Sequence, residues 1–115
     1  MTTPTLYGIK NCDTVKKARK WLDEHNIHYH FHDFRAEDLN SDEVSMWVQQ
    51  LGWDKVVNKR STSWKQLSAE ERDNMDERSA VTAILNNPTL VKRPLLDIDG
   101  QYSVGFSADD YKSKL

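Results

Sequence analysis

The single cysteine, Cys12, is the side chain in this sequence best suited to chemistry. It stands between a short apolar run, residues 5–9, and a segment with helical periodicity that begins at Asp13. The N–H groups in the first turn of a helix lack partners within the helix and carry partial positive charge, so a thiolate is favoured there. Lys10 and Lys16 would add positive potential, whereas Asp13 would oppose it. We therefore predict a nucleophilic thiol; the alternative is a small buried apolar residue.

The residues that follow Cys12 limit its redox chemistry. The motif at residues 12–15 is Cys-Asp-Thr-Val, which lacks the second cysteine of a C-x-x-C pair. A chain with one cysteine forms no internal disulfide, so turnover would require a mixed disulfide or another sulfur adduct that an external thiol resolves. Glutathione or another small thiol is the expected partner, and glutaredoxin is a further candidate.

Three histidines at alternate positions offer a second kind of chemistry. His28, His30 and His32 would share one face of a strand, where imidazoles can bind Zn²⁺ or Ni²⁺. We expect no carboxylate or cysteine to converge with them. The sequence therefore favours a polar strand face and predicts no metal site.

The apolar pattern around Cys12 predicts a βαβ unit. Residues 5–9 form a short apolar run and residues 28–34 alternate, which indicates two strands. Between them, from Asp13 to about Glu24, the apolar side chains fall on one helical face. Two parallel strands joined in this way have a right-handed crossover.

A helical block and a second half-sheet are predicted for the rest of the chain. Capping signatures at residues 40–43 and 68–71 indicate helix starts, and residues 95–98 and 102–104 flank an Asp-Gly turn that is a strong hairpin signal. A short last helix starts at Ser107. The order βαβ, helices, ββα predicts an α/β, thioredoxin-like fold with a mixed four-stranded sheet.

Length and composition fit one domain of residues 1–115, with a helical insertion at about residues 37–88. The 16 basic and 18 acidic residues nearly balance, which argues against a nucleic-acid partner. The sequence shows neither a signal peptide nor a run long enough for a membrane span. We expect a cytoplasmic monomer with no membrane partner.

Four segments together resemble the ArsC (arsenate reductase) family, and in particular its YffB-like branch, which is related to the Spx regulators. In chain order they are Tyr7-Gly-Ile-Lys-Asn-Cys12, Asn58-Lys-Arg-Ser-Thr62, Pro88-Thr-Leu-Val-Lys-Arg-Pro-Leu-Leu96 and Val104-Gly-Phe106. They span nearly the whole chain. The resemblance implies a thioredoxin-like sheet with a helical insertion, in agreement with the pattern above.

The resemblance also implies roles for residues outside the cysteine loop. Arg60 and Arg93 match arginines that bind an oxyanion beside the cysteine, a task that suits the rigid, permanently charged guanidinium fork. Pro94 matches the cis-proline that faces the thiol, and its backbone would align an extended glutathione molecule. Lys10, close to Cys12 in sequence, is a third candidate for anion binding.

One position departs from the arsenate-reducing members of that family. They carry a third arginine near the end of the last strand, where this sequence has Gly105-Phe106. Loss of one charge-assisted hydrogen bond, about 1.5–3 kcal/mol, would weaken oxyanion binding by roughly ten- to a hundredfold. We therefore predict a glutathione-dependent monothiol reductase that acts through Cys12, with glutathione as co-substrate and no bound cofactor. The alternatives are a non-catalytic, Spx-like interaction or regulatory protein and an arsenate reductase.

Overall fold

The computed structural model describes residues 3–115, which divide into two compact units. The first unit runs to Glu37 and resumes at Arg93–Leu115, and the second is Asp38–Lys92. The second unit lies where the helical insertion was predicted, at about residues 37–88; one domain of residues 1–115 remains a prediction. The elements are β1 (Thr5–Gly8), α1 (Asp13–Glu24), β2 (His30–Asp33), α2 (Ser41–Leu51), α3 (Trp53–Val56), α4 (Thr62–Gln66), α5 (Ala69–Asp73), α6 (Glu77–Asn86), a 3-10 helix (Pro88–Leu90), β3 (Leu95–Ile98), β4 (Gln101–Val104) and α7 (Ala108–Lys114).

The first unit contains a four-stranded mixed sheet in the order β2-β1-β3-β4. Strand β1 pairs in parallel with β2, and β3 pairs antiparallel with both β1 and β4. This confirms the predicted α/β, thioredoxin-like arrangement of a βαβ half followed by a ββα half. In the register, Tyr7 lies between His32 on β2 and Leu95 on β3.

Helix α1 packs on one face of this sheet because its apolar residues recur at helical spacing. Val15, Ala18 and Leu22 are fully buried, and the helix has the bounds that the periodicity predicted. Ala18 and Leu22 join a cluster with residues of β1, β3 and α7, namely Leu6, Leu96 and Tyr111. The two helices α1 and α7 thus contribute to one core on the same face of the sheet.

Glycine at position 8 permits the close approach of β1 to α1. A Cβ atom at Gly8 would lie 2.8 Å from Cγ2 and 3.3 Å from Cγ1 of Val15, closer than side chains tolerate. Since Cys12 lies in the connection between these two elements, this contact helps to determine where the thiol stands.

The predicted hairpin is confirmed, with Asp99 and Gly100 as its turn. Both have positive φ, 52° and 83°, as the primed turns of two-residue hairpins require. The N–H of Gly100 donates to Oδ1 of Asp97 at 2.9 Å, which anchors the turn to β3.

The second unit is helical, and α2 packs against α6. Asn40 caps α2 by accepting from the N–H of Asp42 at 2.8 Å, and Ser68 forms the predicted capping box at the start of α5. Residues 53–67, for which the sequence showed no regular pattern, contain the short helices α3 and α4. Within the described part of the chain, every helix is too short or too polar to cross a membrane.

Candidate functional site

Cys12 is the N-cap of α1, as the sequence predicted. Its backbone is extended, with φ −111° and ψ 123°, and its carbonyl accepts the first helical hydrogen bond, from the N–H of Lys16 at 2.9 Å. Among the described residues, the Cys12 side chain makes no capping hydrogen bond, and the thiol is free and half-buried. Cys12 is therefore neither a fully buried core residue nor a side-chain cap of the helix, and its nucleophilic role remains a prediction.

The sheet register brings the cysteine loop and the predicted cis-proline to the same end of the first unit. Tyr7 near the end of β1 pairs with Leu95 at the start of β3, and these strands are antiparallel. The chain that leaves β1 toward Cys12 and the chain that enters β3 through Pro94 therefore lie at one end of the sheet. The Arg93–Pro94 peptide bond is cis, as the resemblance implied.

The three predicted anion-binding residues fall in different surroundings. Arg93 is half-buried, and its Nε atom is fully buried, whereas Lys10 is exposed in the loop before Cys12. Arg60 is exposed and belongs to the second unit, in a turn where its N–H donates to Oδ1 of Asn58 at 3.0 Å. Anion binding by these three side chains remains a prediction.

Pro94 can form fewer backbone hydrogen bonds with an extended peptide than an ordinary strand residue can. Proline has no N–H, and the Pro94 carbonyl already accepts from the N–H of Gly105 at 2.9 Å. The second lone pair of this oxygen is what remains for a bound tripeptide. Alignment of glutathione by Pro94 would thus depend on one carbonyl oxygen and on the backbone beside it.

The region that carries a third arginine in arsenate-reducing proteins has no guanidinium here. Gly105 has φ 83° and is held by its hydrogen bond to Pro94. The ring of Phe106 packs edge-on against Tyr111, with centroids 4.8 Å apart. This part of the unit therefore serves packing and supplies no charge for an oxyanion.

A second group of polar side chains that could bind a ligand lies at the edge strand β2. One donor atom from each of His30, His32 and Glu37 lies within 4.8 Å of the others, and His28 is not part of the group. The expectation that no carboxylate converges with the histidines is therefore wrong. The carboxylate comes from the turn after β2, in which the N–H groups of Ala36 and Glu37 both donate to the carbonyl of Asp33, at 3.1 and 2.9 Å.

Comparison with known proteins places this architecture in a family. The model of the ArsC family matches residues 7–113. An uncharacterized protein of Haemophilus influenzae is 45% identical over 109 residues, which cover 95% of this chain and 96% of that protein. The solved structure of a YFFB protein is 40% identical, with a TM-score of 0.93 over 96% of this chain and 97% of that one.

More distant relatives include regulators. The global transcriptional regulator Spx of Listeria innocua is 29% identical over 110 residues, which cover 94% of this chain and 83% of the regulator. The resemblance to the YffB-like branch and to Spx that the motifs suggested is thus confirmed. Matched over nearly its whole length by the family model, the chain belongs to the ArsC family.

Proposed function

We propose that this protein is a glutathione-dependent monothiol reductase whose nucleophile is Cys12. The observation that carries the proposal is the state of that thiol: the chain has no other cysteine, and this one is free, half-buried and placed at the start of a twelve-residue helix. The position of Pro94 at the same end of the sheet, with one lone pair of its carbonyl oxygen left over, supports a role in binding an extended thiol substrate.

The reaction proceeds by two thiol–disulfide exchanges that balance without a second protein thiol. The Cys12 thiolate attacks the glutathione sulfur of a mixed disulfide between glutathione and the substrate, and the substrate leaves as a thiolate that takes up a proton. The thiolate of a second glutathione then attacks the glutathione sulfur bound to Cys12. This step releases oxidised glutathione and regenerates the Cys12 thiolate, so that one free glutathione is consumed for each substrate thiol released.

Charge around the thiol supports glutathione as the reductant. Glutathione carries two carboxylates, and a guanidinium binds a carboxylate through two directed hydrogen bonds. Arg93 stands directly before Pro94 and Lys10 stands two residues before Cys12, so both belong to the segments that meet at this end of the sheet. We propose that Arg93 and Lys10 bind these carboxylates.

Turnover of a small glutathione mixed disulfide tests the proposal, with oxidised glutathione measured by an enzyme-coupled assay. Cys12→Ser is expected to abolish turnover, and Arg93→Gln to raise KM for glutathione by about ten- to a hundredfold through loss of a charge-assisted hydrogen bond. Lys20→Gln, which removes an exposed positive charge about two turns along α1 from Cys12, is the matched control and should leave KM unchanged. Turnover that survives in Cys12→Ser would refute the mechanism.

A non-catalytic interaction protein is the second candidate, supported by the Spx regulators that are 29% identical over most of this chain. The absence of a second cysteine at residues 12–15 argues against a disulfide switch but not against an adaptor. The same assay separates the two functions, because an adaptor would show no turnover in either the wild type or Cys12→Ser.

Arsenate reduction is the third candidate. Gly105 and Phe106 supply no positive charge where arsenate-reducing proteins have an arginine, so we expect arsenate turnover, with glutathione and glutaredoxin supplied, to fall well below disulfide turnover. Arsenate turnover equal to or above that of the mixed disulfide would reverse this order.

A further inference from the structure

The cluster at β2 is built from two strand histidines and one turn carboxylate. His30 and His32 alternate along β2, so their side chains lie on one face of the strand, with Cα atoms roughly 6.6 Å apart along it. The turn that follows, fixed by the two hydrogen bonds to the Asp33 carbonyl, carries Glu37 back toward them. As a result, one donor atom from each of the three side chains lies within 4.8 Å of the others.

His32 is the most buried member of the cluster and packs against two aromatic rings. Its ring lies against the Tyr7 ring, with centroids 4.9 Å apart and planes at 37°, and meets the Phe34 ring edge-on at 6.5 Å. Its Nε2 atom is buried and has no hydrogen-bond partner among residues 3–115. A buried polar nitrogen without a partner is costly, so the His32 ring carries hydrogen-bonding capacity that the described residues leave unused.

We propose that His30, His32 and Glu37 bind a divalent transition-metal ion, with Zn²⁺ as the best match. Two imidazole nitrogens and one carboxylate form a donor set typical of zinc sites that keep a fourth position for water. Mg²⁺ and Ca²⁺ prefer oxygen ligands throughout and fit this set poorly. The inference is independent of the thiol chemistry proposed above, because none of the three ligands belongs to the cysteine loop.

The geometry fits zinc after small side-chain rotations. Zinc–ligand bonds of about 2.0–2.1 Å in a tetrahedron place the ligand atoms about 3.3 Å apart, closer than the 4.8 Å limit of this cluster. His30 and Glu37 are exposed and can change rotamer, whereas His32 is held by its aromatic neighbours. The ion would therefore be anchored by His32 and enclosed by the two exposed side chains.

Titration calorimetry of the full chain with zinc chloride tests the proposal in a Cys12→Ser background, which removes the thiol as a competing ligand. We expect one zinc ion per chain. His30→Gln and Glu37→Gln should each lower the affinity by at least about tenfold. The matched controls His28→Gln and Asp38→Asn change neighbouring side chains of the same types outside the cluster and should leave the affinity unchanged.

Imidazole NMR signals provide a second readout that does not depend on variants. Saturation with zinc should shift the ring signals of His30 and His32 and leave those of His28 and His25 in place. Circular dichroism of each variant checks that the fold is retained. The proposal is overturned if zinc fails to bind, if His30→Gln and Glu37→Gln bind as tightly as the background, or if His28→Gln weakens binding to the same extent. Because the background chain lacks Cys12, none of these outcomes bears on the proposed reductase activity.

Discussion

Substitution of Gly8 by alanine tests whether the contact between β1 and α1 is as tight as the structure shows. The new Cβ would lie 2.8 Å from Cγ2 of Val15, which is fully buried and, as a β-branched residue, stiff about χ1. The neighbour therefore cannot give way cheaply, and overpacking of this kind costs about 1–3 kcal/mol. Reduced freedom of the unfolded chain offsets about 0.4–1 kcal/mol, which leaves a net loss of about 1–2 kcal/mol.

A double-mutant cycle measures whether that cost arises at Val15. For a chain of this length, a loss of about 1–2 kcal/mol lowers the melting temperature by roughly 4–8 °C. In a Val15→Ala background the obstructing methyl groups are absent, so Gly8→Ala should there be neutral or stabilise the protein by up to about 1 kcal/mol. Urea unfolding followed by circular dichroism gives the four free energies.

Gly100→Ala is the matched control for the cycle. No atom outside its chain neighbours lies within 4 Å of a Cβ at Gly100, but its φ of 83° is unfavourable for alanine. It should therefore destabilise the hairpin by about 1 kcal/mol whether or not Val15 is present. If Gly8→Ala is neutral, or costs the same in both backgrounds, the steric explanation is wrong.

Two titrating groups give further predictions. Two hydrogen bonds from Ser79, the larger effect coming from its backbone N–H and the smaller from its hydroxyl, lower the pKa of Asp76 below its ordinary 3.8. The ionised Asp76 therefore stabilises the folded state above that pH, and this contribution is lost as the pH falls further. Asp76→Asn, which keeps a capping oxygen, should therefore flatten the acid side of the melting temperature against pH, and an unchanged acid limb would contradict this. Burial, with a smaller effect of the Asp110 carboxylate, raises the pKa of Tyr111 above its ordinary 10.0, so stability is lost as the pH rises past that value. The Tyr111 hydroxyl is buried without a hydrogen-bond partner among residues 3–115. Tyr111→Phe should therefore remove the loss of stability at alkaline pH, and in urea unfolding at pH 7 it should be neutral or stabilising by up to about 1 kcal/mol. Clear destabilisation by Tyr111→Phe would show that the hydroxyl has a hydrogen-bond partner.

Elements with a strong local signal were predicted from the sequence within a residue or so. Helix α1 shows a full three turns of apolar spacing, and Asp99-Gly100 is a turn whose chemistry determines its geometry. By contrast, α3 and α4 have only four and five residues, too few for a helical period to be visible. They form because the surrounding chain packs on them, which no local pattern records.

The candidate sites likewise separate into a part that the local sequence predicts and a part that depends on the three-dimensional structure. The place of Cys12 at a helix start followed from the apolar run before it and the periodicity after it. Glu37 was missed because its approach to the histidines depends on a turn in which Asp33 holds the chain through its carbonyl and through Oδ1, which accepts from the N–H of Arg35 at 2.9 Å. Aspartate often anchors such turns, but only three-dimensional coordinates show which side chain the turn returns to the strand.

Reaction of the reduced protein with oxidised glutathione tests the central claim about Cys12 most directly, with the adduct followed by intact-mass spectrometry. We predict one glutathione per chain, attached at Cys12 and absent in Cys12→Ser. It should form faster in the native protein than in the same chain unfolded in urea, because only the folded state brings the Arg93 segment to the end of the sheet where Cys12 lies. No adduct, or an adduct that forms no faster in the native protein than in the unfolded chain, would contradict the account.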